Sequence, residues 1–289
     1  MTKKIYFITY GDNNFSIQRK RIAYQAKKLD VFNKIYSYKK SNIDKKFLTK
    51  YSNLFKDEKG GGYWVWKAYF VLKTFEEMNY GDILLFTDAG STLNSGGKSR
   101  LNNYIDMISN SKEFLLMFQI KHLIEKEWTV KEIFSYFKLD SNSKIPDSSV
   151  LMGGVFFAKK TNHAIKFFTS FLDIVDKDNN LITDAYQDLQ EEYFQACRHD
   201  QSLMSVMAKL NGCLILDDET YFHNNPNQQY SFPILTVRDG KYSIWQKLKY
   251  YILYPLNIKK TIYFGKKQFY FKRRPFVSRM ILKLKRFIN

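Results

Sequence analysis

A chain of 289 residues, 45% apolar and 26% charged, is long enough for one large domain or two small ones and can bury a substantial core. Two cysteines, Cys197 and Cys213, argue against a disulfide framework, and no CxxC or Cys/His metal spacing occurs. The net charge of +18 is lopsided: residues 1–240 hold 32 Lys/Arg against 28 Asp/Glu, whereas residues 241–289 hold 14 Lys/Arg and no acid. The N-terminal stretch MTKKIYFITYGD has too short an apolar run for a signal peptide. No run approaches the roughly 18 apolar residues of a membrane span. A cytoplasmic, reduced protein is the expectation, with one domain over 1–240 and a basic tail over 241–289.

In chain order, KKIYFITYG (3–11) alternates apolar and polar residues into a glycine and predicts a first strand. Ile17, Ile22, Ala26 and Leu29 recur at helical spacing over 16–32, and KIYSY (34–38) is a second strand. A helix is expected over 42–55, a break at the three glycines 60–62, and a mostly buried helix over 63–79. Strand 82–88, helix 100–109 and strand 114–120 follow, then a helix over 122–139, a strand with a Gly-Gly interruption over 148–160 and a helix over 163–175. A helix over 188–212, with a break near His199, and a strand over 213–218 complete the body. Strands alternating with helices predict a largely parallel sheet with helices on both faces.

In such sheets ligands sit beyond the carboxyl ends of the strands, where strand order reverses. Two strand ends qualify here: Thr9-Tyr10-Gly11 and Asp88-Ala89-Gly90. Gly11 permits close backbone approach and Tyr10 offers a flat ring, but Asp and Gly are equally ordinary turn residues. Neither GxGxxG nor GxxxxGK[ST] is present, which disfavours a dinucleotide dehydrogenase or a P-loop NTPase. The three glycines before Tyr63 have no strand ahead of them, so a flexible loop is the simpler account. Lys67 is the one charge within YWVWKAYFVL, so it either snorkels to a surface or meets an anion such as phosphate. Asp200 falls in an apolar stripe of Tyr193, Ala196, Cys197, Leu203, Met204 and Met207, which makes it a helix cap or a functional carboxylate. His223 lies beyond the last strand in a polar loop, a surface residue or a metal ligand if Asp88 supplies another.

The stretch GGGYWVWKAYFVLKTFEEMNYGDILLFTDAGSTLN (60–94) resembles a family of bacterial sugar-nucleotide glycosyltransferases with the GT-A fold. In that family a GYWxWK segment opens a helix and GDILLYxDAG stands at the nucleotide strand end. EKEWTVKEIF (125–134), RHDQSLMSV (198–206) and the start TYGD…F…RI…QA…D.F are similar to further blocks of the family, in order along residues 3–240. The resemblance implies a GT-A-like α/β domain with a mostly parallel central sheet. It also implies transfer of a hexose-type sugar from a nucleotide diphosphate sugar, a UDP-sugar foremost, to a glycan or lipid-linked acceptor in cell-surface polysaccharide synthesis. Thr9, Tyr10 and Gly11 would line the nucleotide pocket, with Tyr63, Trp66 and Lys67 bordering the diphosphate or sugar. Asp88, with Ala89 and Gly90, would match the start of a DxD motif binding ribose and a divalent ion. Gly153 and Gly154 would sit beside the acceptor, and Asp200 and Gln201 would touch the transferred sugar or the acceptor hydroxyl. The departure from the pattern is Gly90, where the second DxD carboxylate belongs. A Mn²⁺ or Mg²⁺ would need Asp88 with His223 or another residue, or else cations such as Lys67 would neutralise the leaving diphosphate.

In the tail, FVSRMILKLKRFIN (276–289) sets Phe276, Val277, Met280, Ile281, Leu284, Phe287 and Ile288 on one helical face and Arg279, Lys283 and Arg286 on the other. That is the pattern of a helix lying on an anionic membrane surface, here the inner face of the cytoplasmic membrane. SIWQKLKYYILY (243–254) is similar, and TIYFGKKQFYF (261–271) predicts a hairpin. Packing on the domain is the plain alternative for that helix. A non-catalytic membrane-associated or nucleic-acid-binding protein is the alternative function, the nucleic-acid version disfavoured by the nearly neutral body.

Overall fold

The computed structural model describes residues 3–57, 59–220 and 231–236, and the backbone of 262–264 and 267–269. The strands are β1 (Ile5–Tyr10), β2 (Lys34–Tyr38), β3 (Ile83–Thr87), β4 (Thr92–Leu93), β5 (Leu115–Ile124), β6 (Ser149–Lys159), β7 (Leu214–Asp217), β8 (Ile234–Leu235), β9 (Ile262–Phe264) and β10 (Lys267–Phe269). The helices are α1 (Ser16–Leu29), α2 (Lys45–Lys50), α3 (Ser52–Lys56), α4 (Gly60–Tyr63), α5 (Trp66–Glu76), α6 (Lys98–Asn110), α7 (Glu125–Trp128), α8 (Lys131–Tyr136), α9 (Asn162–Lys177) and α10 (Asp200–Asn211).

Six strands form one sheet in the order β2-β1-β3-β6-β5-β7. β1 runs parallel to β2 and β3, β5 runs parallel to β7, and β6 runs against both of its neighbours. This is the expected architecture, a mostly parallel sheet covered on both faces. The period of two along each strand decides which side chain goes where. Tyr6, Ile8, Leu84 and Phe86 pack with Val71 of α5, Phe167 and Phe168 of α9 and Leu203 of α10. Their neighbours Ile5, Phe7, Ile83 and Leu85 pack on the other face with Ile22 and Ala26 of α1 and Leu101 and Tyr104 of α6. With both faces covered, β1 and β3 carry only buried residues, each large apolar side chain contributing about 1.5–3 kcal/mol. Because β2 lies on one side of β1 and β3 on the other, strand order reverses at the carboxyl ends of β1 and β3.

Two helical expectations are corrected. Over 122–139 the chain continues β5 to Ile124, paired with Ser149 across a register shift, and then makes only the short α7 and α8. The reason is Glu125: its buried carboxylate accepts from the Thr129 hydroxyl at 2.7 Å, from Lys209 at 2.6 Å and from the Ser205 hydroxyl, which anchors the turn into the core. Over 188–212 helix begins only at Asp200. Ahead of it the amides of Gln195 and Arg198 donate to the carbonyls of Glu127 and Trp128, so their hydrogen bonds are made outside any helix.

The chain divides into two compact units, Met1–Asp239 and Gly240–Asn289. In the second, β9 and β10 pair antiparallel with Phe264 opposite Lys267, the hairpin expected there. The amphipathic stretches 243–254 and 276–289, and His223, lie outside the described residues. No helix among the described residues is long and apolar enough to cross a membrane.

Candidate active site

The reversal point of the sheet brings three things together: the loop after β3, the glycine pair in β6 and the first turn of α10. Asp88 follows β3 directly, its amide donating to the Gly154 carbonyl at 2.8 Å, and its side chain is half-buried. The loop beyond it is clamped from α1. Arg21, itself buried, donates to the Ser91 carbonyl at 2.7 Å, the Ala89 carbonyl at 3.3 Å and the Thr92 hydroxyl at 2.9 Å. β4 then pairs with β8, and the Asn94 side chain donates to the Phe232 carbonyl, so the segment 231–236 returns to this loop. Nothing in the sequence announced Arg21, which is 68 residues away from its Ala89 partner.

Both glycines of β6 stand at close approaches. A methyl on Gly153 would stand 3.0–3.2 Å from Gln201 of α10, and one on Gly154 would stand 2.7 Å from Oδ2 of Asp88. The Gly-Gly interruption is therefore no break in the strand. It is a slot that lets a helix and a carboxylate press against β6. Gly154→Ala should turn the Asp88 carboxylate aside at little cost, since the clash is with the end of a flexible side chain. We expect turnover down about tenfold with a thermal midpoint within about 3 °C of the wild type, read by steady-state kinetics and calorimetry.

Lys67 sits at the start of α5 and extends its ammonium to Asp200 Oδ2 at 2.5 Å and to the Gly153 carbonyl at 2.9 Å, over the Phe86 ring. Both side chains of the pair are 5% exposed. Of its two readings, Lys67 takes the anion, and the anion is a carboxylate of the chain itself. Asp200 is the first residue of α10, and no side chain caps that helix, so its competing reading as a cap falls away. Burial pushes the Asp200 carboxyl up to about 6; Lys67 opposes the rise and the charge of Asp88 adds to it. Next to it, Gln201 accepts the Gly153 amide at 3.1 Å. Asp88, Gly153, Gly154, Lys67, Asp200 and Gln201 thus form one contiguous set.

The residues after β1 behave differently. Tyr10 is buried, and its ring lies 4.0 Å from that of Trp66 and 5.4 Å from that of Phe70, so its flat face is already taken. Its hydroxyl is buried with no hydrogen-bond partner among the described residues, as is that of Thr9. Gly11 is explained by packing: a methyl there would meet the Phe15 carbonyl at 3.0 Å and Arg19 at 3.1 Å.

The glycine run is ordered. Gly60, Gly61, Gly62, Tyr63 and Trp64 all have positive φ, so the chain makes a left-handed turn that Trp66 Nε1 ties down by donating to the Gly60 carbonyl at 2.9 Å. The turn sets the Tyr63 and Trp64 rings 5.5 and 5.3 Å from the His199 imidazole. His199 Nε2 pairs with Asp184 Oδ1 at 3.0 Å, and Lys59 donates to Asp184 Oδ2 at 2.5 Å. Burial lowers the His199 pKa against the pull of Asp184. Lys59 and Asp184 escaped sequence reading because no local pattern links positions 125 residues apart.

A divalent ion takes several oxygen ligands. Among the described residues no three His, Cys, Asp or Glu side chains gather closely enough to hold one. Gly90 supplies no carboxylate and Asp200 is committed to Lys67. The described donor set does not fit a resident cation. A groove of about 300 Å³ between α8 and residues 190–194, with Phe134 and Tyr193 on its walls, shares no residue with this site.

No protein-family model matches the chain, and comparison with curated proteins gives no match. Among solved structures, the chain is similar to a glycosyltransferase involved in the glycosylation of the major capsid of PBCV-1, at 12% identity over 80% of this chain and 92% of that one, with a TM-score of 0.44. It is similar to the galactosyltransferase LgtC in complex with donor and acceptor sugar analogues, at 11% identity over 80% and 86%, with a TM-score of 0.41. It is also similar to mouse xyloside xylosyltransferase 1, at 9% identity over 81% and 97%, with a TM-score of 0.44.

Proposed function

We propose that the chain is a glycosyltransferase moving a hexose-type sugar from a nucleotide diphosphate sugar, a UDP-sugar foremost, to a lipid-linked glycan acceptor in cell-surface polysaccharide synthesis. The observation that carries this reading is the convergence of Asp88, the Lys67–Asp200 pair and Gln201 on the glycine slot of β6, at the reversal point of the sheet. Structural ion pairs are common, but this one joins two helices and bonds the carbonyl of Gly153, in a strand whose glycine pair also makes room for Gln201 and Asp88.

Transfer breaks the anomeric C–O bond and forms a new one to an acceptor hydroxyl, whose proton must leave. In an inverting reaction Asp200 accepts that proton, and a carboxyl titrating at about 6 suits the task near neutral pH. In a retaining reaction Asp200 or Gln201 faces the positive charge that develops on the sugar. Asp88 serves the donor side, holding ribose or the diphosphate end. Work at the inner face of the cytoplasmic membrane is part of the proposal, supported by a tail of 14 Lys/Arg and no acid.

The test is a hydrolysis and binding screen over UDP-, GDP-, dTDP- and CMP-sugars, with and without Mn²⁺. Slow hydrolysis of one donor class is the expected result, and absence of both turnover and binding across the panel would remove the proposal. Dependence on Mn²⁺ would point to ligands beyond the described set.

A further inference from the structure

The residue ahead of Asp200 is held in a shape its own side chain disfavours. His199 has φ 58° and ψ −124°, and the Gln201 amide donates to the Arg198 carbonyl at 3.1 Å across it. Those values describe a type II′ turn with histidine at the position that favours glycine, because a Cβ there crowds the backbone. The strain is met by the imidazole. It is 10% exposed, packed by the Tyr63 and Trp64 rings and bonded through Nε2 to Asp184, which Lys59 and the Tyr63 hydroxyl hold from the other side. Immediately after the turn, Asp200 meets Lys67 and Gln201 meets the Gly153 amide.

We propose that His199 is a positioning residue: its bond to Asp184 locks a turn built for glycine, and the locked turn presents Asp200 and Gln201 to the glycine slot of β6. The imidazole acts through the backbone and does not touch substrate. This deepens the transferase reading and rests on it for its effect on turnover, while its effect on the fold stands by itself.

Glycine and alanine at position 199 separate the possibilities, because both remove the imidazole and only alanine keeps the crowding Cβ. His199→Gly should retain kcat within about threefold of the wild type, and His199→Ala should lose about tenfold or more in kcat with donor KM nearly unchanged. His199→Asn, which tolerates positive φ and can donate to Asp184, should fall between them. In melting experiments, which need no substrate, His199→Gly should unfold at least about 3 °C above His199→Ala. An imidazole that acts on substrate would make the glycine variant as inactive as the alanine one. A merely structural one would leave kcat of the alanine variant at the wild-type level. Either result, or equal melting points, overturns the positioning role. If the melting order holds and the wild type turns over no nucleotide sugar, the transferase reading fails instead. The crystal structure of His199→Ala then decides the positioning role by whether the Lys67–Asp200 contact is lost or kept.

Discussion

Replacing Lys67 by alanine is expected to cost about 3 kcal/mol of folding stability at pH 8 and clearly less at pH 5, read by chemical denaturation at both values. The ammonium and the Asp200 carboxylate are each 5% exposed and 2.5 Å apart. Removing one member of such a pair leaves a charge in a place that water does not reach, and the Gly153 carbonyl loses its donor as well. The pH dependence comes from Asp200. Burial has lifted its pKa to about 6 from an ordinary 3.8 even with Lys67 holding it down, so without Lys67 it goes higher still. A carboxyl with a raised folded pKa stabilises the fold at low pH and loses that contribution as pH climbs from its unfolded to its folded value. The wild type completes that loss near pH 6 and the variant goes on losing above it, so the deficit widens from pH 5 to pH 8. A deficit of the same size at both values would mean that Asp200 is not the group left uncompensated. Lys67→Met combined with Asp200→Asn removes both charges at similar volume and should recover most of the stability while turnover stays lost. Recovery of turnover along with stability would reduce the pair to a structural one.

The fold was legible where one physical rule acts alone. β1, β2, β3, β6, α1 and α9 lie within a few residues of their predicted spans, because short apolar runs mark strands buried on both faces and 3.6-residue spacing marks a helix with one buried face. Legibility failed where long-range bonds override local preference. The stretch 188–199 has helical spacing, yet its Gln195 and Arg198 amides are bonded to the carbonyls of Glu127 and Trp128, and its Tyr193 is 49% exposed. The apolar stripe of a helix over 188–212 singles out Asp200, and its carboxylate is buried, but it opens a helix and does not lie midway along one.

The candidate site divides in the same way. Asp88, Lys67, Asp200, Gly153 and Gly154 were each visible as an oddity, a charge in an apolar run or a glycine inside a strand, and three-dimensional proximity turned the oddities into a set. Tyr10 was visible for its ring, but only packing reveals that Trp66 covers that ring. The Asp184–His199 bond and the Arg21 clamp leave no trace in local sequence. Their partners are 15 and about 70 residues apart, and an aspartate, a histidine or an arginine in a polar segment looks the same whether it is bound or free.

Asp88→Ala should lower turnover on whichever donor the screen identifies by about 10²–10³-fold and leave the thermal midpoint within about 3 °C of the wild type. The small effect on stability follows from what holds the loop. The Asp88 amide bond to the Gly154 carbonyl and the Ser91 amide bond to the Asp88 carbonyl are backbone bonds that alanine keeps, and the Arg21 bonds to the Ala89 and Ser91 carbonyls are likewise to backbone that alanine leaves in place. The large effect on turnover follows from position. This carboxylate stands half-buried at the reversal point of the sheet, against a glycine that makes room for it, and near enough to Asp200 to raise that residue's pKa. Asp88→Asn keeps the shape and removes the charge, so equal loss in the two variants assigns the effect to charge, and activity retained by asparagine assigns it to hydrogen bonding with the donor. Wild-type turnover in the alanine variant would return Asp88 to the status of an ordinary turn residue. Gly154→Ala, which acts on turnover by displacing that carboxylate, should then prove equally silent.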